Sequence, residues 1–160
     1  MLKITLPDNS VLQAAEGTTV AQIAAQIGAG LAKAALAARV DGQLVDLSHP
    51  IEADAAIEII TARSPEALEI LRHTTAHVMA QAVRNIYGNR VQYTIGPALT
   101  DDFQYGFYYD FDLPQAITND DLAKIEEEMA KIVKQDLPIQ RLELSADAAK
   151  ERFEIGRAHV

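Results

Sequence analysis

MLKITLPDNSVLQAAEGTTVAQIAAQI, residues 1–27, decides how the chain begins to fold. Leu2, Ile4 and Leu6 alternate with Lys3 and Thr5, the period of a strand with one buried face. Pro7-Asp8-Asn9-Ser10 is turn chemistry, so residues 11–15 are expected to return as the second arm of a hairpin. Thr18 or Thr19 can cap a helix over residues 20–27, with Val20, Ile23, Ala24 and Ile27 on one face. Gly28 and Gly30 are expected to stop it. Outward from there, residues 35–40 and 43–46 flank Asp41-Gly42, a hairpin with a D-G turn, and residues 56–61 supply a last strand. Two strands, a helix and three strands in about 60 residues predict a ubiquitin-like β-grasp.

Beyond Ser64-Pro65 the pattern lengthens. Pro65 suits a first helical position, and a helix is expected over residues 65–87. Leu68, Leu71, Val78, Met79, Ala82, Val83 and Ile86 form its apolar stripe, and Gly88-Asn89 ends it. Strands are expected at 91–95 and 106–112, on either side of Gly96-Pro97, which forces an extended exit or turn. Thr118 caps a helix over 119–135 with Asp121 at the reciprocal capping position, and Leu122, Ile125, Met129, Ile132 and Val133 make its stripe. Residues 139–144 alternate like an edge strand, and Ser145 starts another helix. The fold class is therefore α+β.

Composition sets the outer limits. With 160 residues, 49% hydrophobic and 23% charged, the chain can bury a core and is not a disordered sequence. It carries 23 acidic and 14 basic side chains, net −9, which argues against a general nucleic-acid coat but leaves room for a local site that accepts an RNA end. There is no cysteine, which removes disulfides, thiolate metal sites and a cysteine nucleophile from this chain. No apolar run reaches the ~18 residues of a membrane span, and Met1 to Pro7 does not read as a signal peptide, so no membrane partner is expected and the default location is cytoplasmic.

His73-Thr74-Thr75-Ala76-His77 is the sharpest chemical feature. Histidines at i and i+4 share a helix face with Cβ atoms about 5–6 Å apart, which lets two imidazoles hold one metal ion or one water. Thr74 stands where a zinc protease helix has its glutamate, so that chemistry is not indicated. The plain alternative is one satisfied, partly buried histidine and one solvated one. His49 sits in a turn and His159 in a doubtful tail, so three protein ligands for a catalytic metal are lacking and no metal site is expected. In Tyr105-Gly106-Phe107-Tyr108-Tyr109-Asp110-Phe111-Asp112, alternation puts Phe107, Tyr109 and Phe111 on one face. That face is either an ordinary half-buried strand or a pocket wall on which a tyrosine hydroxyl orients a polar ligand.

Taken in order, the β-grasp from Met1, RHTTAH at Arg72, IGP at Ile95, GFYYDFD at Gly106 and DLAKIEEEM at Asp121 resemble the N-terminal region of the bacterial threonyl-tRNA synthetase family, over about residues 1–153. The resemblance implies a TGS domain over 1–63 and the N-terminal part of a tRNA-editing domain over 64–153. Residues 154–160 break the preceding helical pattern and are similar to one reading frame of a sequencing adapter; they are expected as a non-native tail, the alternative being a native frayed terminus. The family hydrolyses seryl esters formed by mistake on threonine tRNA. A methyl-sized difference between serine and threonine gives a binding pocket only ~1–3 kcal/mol, too little for faithful translation. By motif position, His73 and His77 become the first catalytic pair, expected to orient water and pass protons, and Tyr109 the substrate-pocket tyrosine. The family's later C-x-x-x-H pair is absent here, as is the synthetase core with its ATP, magnesium and zinc. The chain is thus expected to be a truncated piece that binds no cofactor of its own and is inactive alone. Its expected partner is tRNA in the full enzyme, a homodimer through the missing core. A second reading is a TGS-containing regulatory or nucleotide-binding module of a GTPase, an alarmone synthetase or a kinase fusion; a third is a stand-alone editing hydrolase.

Overall fold

Leu2–Thr5 (β1) and Val11–Ala14 (β2) pair antiparallel with Ile4 opposite Leu12. This computed structural model describes residues 1–88, 91–94, 96–99, 101, 104, 106–113, 115–139 and 141–153. The turn between β1 and β2 places Asn9 at φ 65°, a left-handed conformation that asparagine tolerates. The Asp8 carboxylate closes the turn by accepting from the Ser10 N–H at 3.0 Å and the Ser10 hydroxyl at 2.6 Å.

Thr18–Thr19 (β3) leads into Val20–Ile27 (α1) through a reciprocal cap. The Gln22 side chain accepts from the Thr19 N–H at 2.8 Å, and the Thr19 hydroxyl accepts from the Gln22 N–H at 3.4 Å. Val20, Ile23 and Ala24 are buried, as the spacing predicts, whereas Ile27, expected on the same face, is exposed. Gly28 stops α1, but Gly30 does not stop helical structure: Ala29–Ala34 (α2) follows at once. Gly28 redirects the chain, and the alanine-rich segment after it has helix propensity enough to absorb one glycine.

Ala35–Val40 (β4), Gln43–Val45 (β5), Pro50–Ile51 (β6) and Ala55–Thr61 (β7) complete this part. The five-stranded sheet runs β2-β1-β7-β4-β5, with β1 and β7 parallel and the other neighbours antiparallel. A parallel central pair requires a crossover, and α1 lies in the connection. Ile4, Val20, Ile23, Ala38, Ile51 and Ile57 are buried together in one core. This is the expected β-grasp. The two-residue pairing of β3 with β6 was not legible, because two residues are too few to show a period.

Ala67–Tyr87 (α3) packs against Asn119–Lys134 (α4). Ala82, Val83, Val91, Ile125 and Ile132 form a second core, with Val78, Met79, Tyr87 and Phe111 packed on it. Part of the expected stripe is not buried: Leu68, Leu71 and Ile86 on α3, and Leu122 and Val133 on α4, are exposed. The periodicity marks a face, while covering it takes a partner element that these residues do not meet. The start of α3 is tied to the sheet by Arg39, which pairs with Glu66 and, at 3.5 Å, with Glu58.

Between the helices, Gln92–Tyr93 (β8) and Phe111–Asp112 (β9) pair antiparallel, and Ala98 bridges Phe107. Among the described residues the strands are therefore shorter than those expected at 91–95 and 106–112. The alternation nonetheless holds: Phe107, Tyr109 and Phe111 are half-buried while Tyr108, Asp110 and Asp112 are exposed. No strand forms among the described residues of 139–144, where Ile139, Leu142 and Leu144 are exposed; a strand needs a ladder partner, and none of the described strands pairs there. Ala146–Phe153 (α5) begins as expected, with the Ser145 hydroxyl accepting from the Ala148 N–H. Asn89 after α3, Ile95 of the IGP motif, Asp102, Tyr105 and residues 154–160 with His159 lie outside the described residues. Among the described residues no helix is long and apolar enough to cross a membrane.

Candidate functional site

His73 and His77 are both exposed on one face of α3. Their ring centroids are 4.7 Å apart with planes at 52°. One turn of helix sets this spacing, and Ala76 and Ala80 of the same helix are buried. Thr75 takes no part, since its hydroxyl donates to the Leu71 carbonyl one turn back at 2.7 Å.

Tyr109 approaches from the loop before β9. Its ring stands edge-on to His77 at 6.4 Å and to Tyr93 at 6.1 Å, and it stacks on Phe111 at 5.0 Å and 17°. The ring lies flat over Gly96: a Cβ there would overlap Tyr109 ring carbons. The glycine of the IGP motif is thus the floor against which the tyrosine is laid. Arg72 fixes the other side of the loop. Its guanidinium donates to the Leu99 carbonyl and sits 3.1–3.5 Å from where a Cβ of Gly106 would be. Gly106 has φ 75° and is buried, so glycine is required there twice over, by backbone and by space.

These residues border an open pocket of about 400 Å³, the size of an ordinary small-ligand site. His77, Ala80, Gln81, Arg84 and Asn85 line it from α3, Tyr93 from β8 and Tyr109 from just before β9. His73 is at its edge through His77 and does not itself line it. Burial, and then the nearby His73, hold the His77 pKa below the ordinary 6.5. His77 is therefore a neutral imidazole near pH 7, able to accept a proton. Burial, and then Tyr93, push the Tyr109 phenol upward, so it remains a hydroxyl donor.

Of the three residues singled out from sequence, His77 and Tyr109 line the opening, while His73 lies beside His77 without lining it. Gln81, Arg84, Asn85 and Tyr93 were not anticipated. For Gln81 and Arg84 a signal was present, at i+4 and i+7 from His77 on the same helix face. Asn85 is held by its amide donating to Glu128 of α4 at 2.9 Å. Among the described residues no group of three histidines or carboxylates is placed to hold a metal ion.

Residues 2–61, the part that forms the mixed β-grasp sheet, match the TGS domain. The match extends well beyond that domain. Along almost its whole length the chain corresponds to the N-terminal region of bacterial threonine–tRNA ligases. It is 54% identical over 153 residues to the threonine–tRNA ligase of Thiobacillus denitrificans and 48% identical over 153 residues to that of Desulforamulus reducens, in each case 96% of this chain. With the Bacillus velezensis ligase it shares 49% identity over 157 residues. The chain spans about a quarter of the length of these relatives, 23–24%.

Proposed function

We propose that the chain is the N-terminal piece of a threonine–tRNA ligase, with a TGS domain over 1–63, the first part of an editing domain over 64–153 and a non-native tail over 154–160. In the whole enzyme the second part would help hydrolyse seryl esters wrongly attached to threonine tRNA. The observation that carries this reading is the meeting of His77 and Tyr109, from separate segments of the chain, at one open pocket, with His73 one helical turn from His77. His77 would accept a proton from a water that attacks the ester carbonyl and return it to the departing ribose oxygen as the acyl–oxygen bond breaks, while His73 would hold that water. Tyr109 would donate to the sugar or the ester oxygen. ATP, magnesium and zinc would belong to the synthetase core outside these 160 residues, as would the dimer contact; tRNA is the partner and the cytoplasm the location. The reading as a GTPase, alarmone-synthetase or kinase module is less well supported, because the similarity to the ligases runs through the residues after the TGS domain as well.

The test is a chimera in which residues 1–153 replace the matching region of the Thiobacillus denitrificans ligase. It should deacylate seryl-tRNA of the threonine isoacceptor and spare threonyl-tRNA, and His73→Ala or His77→Ala should each slow the hydrolysis by about 10²-fold or more, the usual worth of a positioned acid–base group. Hydrolysis at the parental rate in both variants would remove the histidines from the mechanism.

A further inference from the structure

Arg84 lines the pocket and, like Gln81 and Asn85, is left unused by the ester chemistry. We propose that Arg84 receives the 5′ phosphate of the 3′-terminal nucleotide of the RNA and so positions its ester against His77. The proposal rests on reading this pocket as the acceptor of an aminoacylated RNA end, and it adds the residue that would recognise the backbone.

Three observations lead to it. First, the molecule is acidic, net −9, so a polyanion approaches only where a cation is locally free. Most nearby cations are committed: Arg72 to the Leu99 carbonyl, Lys124 to Asp121, Lys131 to Glu127 and Glu128. Among the described residues Arg84 forms no ion pair, and it lines the pocket. Second, the spacing fits. Arg84 is seven residues after His77 on one helix face, an axial offset of about 10 Å. That is comparable to the reach from the esterified ribose hydroxyl of a nucleotide to its own 5′ phosphate, once the flexible arginine stem is included. Third, the Arg84 guanidinium offsets the partial negative charge that the last turn of α3 would set against an anion. An anion would be disfavoured there without a cation, and the planar guanidinium fork matches phosphate oxygens two at a time. Tyr93, partly exposed on the facing wall, leaves the nucleotide an aromatic surface beside that phosphate.

The test uses the 160-residue chain with adenosine and adenosine 5′-monophosphate as probes, followed by NMR of the His77 imidazole. The monophosphate should bind about tenfold more tightly than adenosine at low salt, the gap narrowing as salt rises. In Arg84→Gln the ratio of the two affinities should fall to about one, and Arg84→Lys should restore part of it; a merely structural arginine would not move that ratio. If Arg84→Gln keeps the preference, or if the unaltered chain binds both probes equally while the His77 signals shift, the assignment of Arg84 is wrong and the pocket reading stands. If neither probe moves the His77 or Tyr109 signals, the pocket is not a nucleotide site and the role of Arg84 falls with it.

Discussion

Replacing Gly96 by alanine separates the backbone from the pocket wall. Gly96 does not occupy the left-handed region, and it precedes Pro97, which favours the extended backbone that alanine also accepts. On backbone grounds alone the change should stabilise by about 0.4–1 kcal/mol, by narrowing the unfolded ensemble. Space decides otherwise. The new Cβ would lie 2.9 Å from Tyr109 Cγ and nearer still to Cδ2 and Cε2, so the ring has to leave its place. Leaving breaks the stack on Phe111 and the edge contact with His77, each pair being worth about 0.5–1.5 kcal/mol. Overpacking of this kind costs about 1–3 kcal/mol, which outweighs the entropic gain. Urea unfolding should therefore show Gly96→Ala destabilised by about 1–2 kcal/mol, and the ring-current shifts on the His77 imidazole should collapse. In a Tyr109→Ala background the obstruction is gone, and the same substitution should become neutral or stabilising by about 0.4–1 kcal/mol. The change of sign is the signature. An equal cost in both backgrounds would refute the contact between Gly96 and the Tyr109 ring, and with it the account of how the tyrosine is aimed.

Other expectations follow from the same contacts. His77 should titrate below 6.5 by NMR, and His73→Ala should raise its pKa only partway, since burial is the larger cause. Because the folded value is the lower one, this group leaves stability intact above 6.5 and costs stability as pH falls from there through its folded pKa; a His77→Gln variant should lack that component. Asp121 accepts from the Thr118 hydroxyl at 2.7 Å and N–H at 3.0 Å, and these bonds, with Lys124 beside it, bring its pKa from 3.8 to about 2. Its contribution to the start of α4 is complete above 3.8 and should fade as pH drops to about 2, a loss that circular dichroism should not find in Asp121→Asn. Gly106→Ala should destabilise by about 1–2 kcal/mol in the same unfolding assay, since φ 75° is strained for any side chain and Arg72 Nε lies 3.1 Å from the added carbon; an unchanged midpoint would refute both the backbone strain and the Arg72 contact.

Local rules carried much of the architecture. The turn at Asp8 to Ser10, the cap at Thr19, the D-G turn at Asp41 and the reciprocal cap of Thr118 with Asp121 each involve residues within three or four positions of one another, and each formed where the sequence put it. The pairing of His73 with His77 belongs to the same group, because one helical turn fixes it. Local rules also named faces correctly and stopped there. Leu68, Leu71, Leu122 and Val133 have the right period and remain exposed, and residues 139–144 alternate without pairing, since whether a face is covered depends on segments far away in the chain.

By itself, then, the sequence determined the β-grasp, four of the five described helices and a pair of imidazoles on one of them. Only the tertiary structure decided that the loop carrying Tyr109 folds back over Gly96 to meet His77, and that Arg84 and Tyr93 share the opening. The physical reason is range. Caps and turns are settled by hydrogen bonds between near neighbours, whereas a pocket is the space left when distant segments pack, and no single segment encodes its shape.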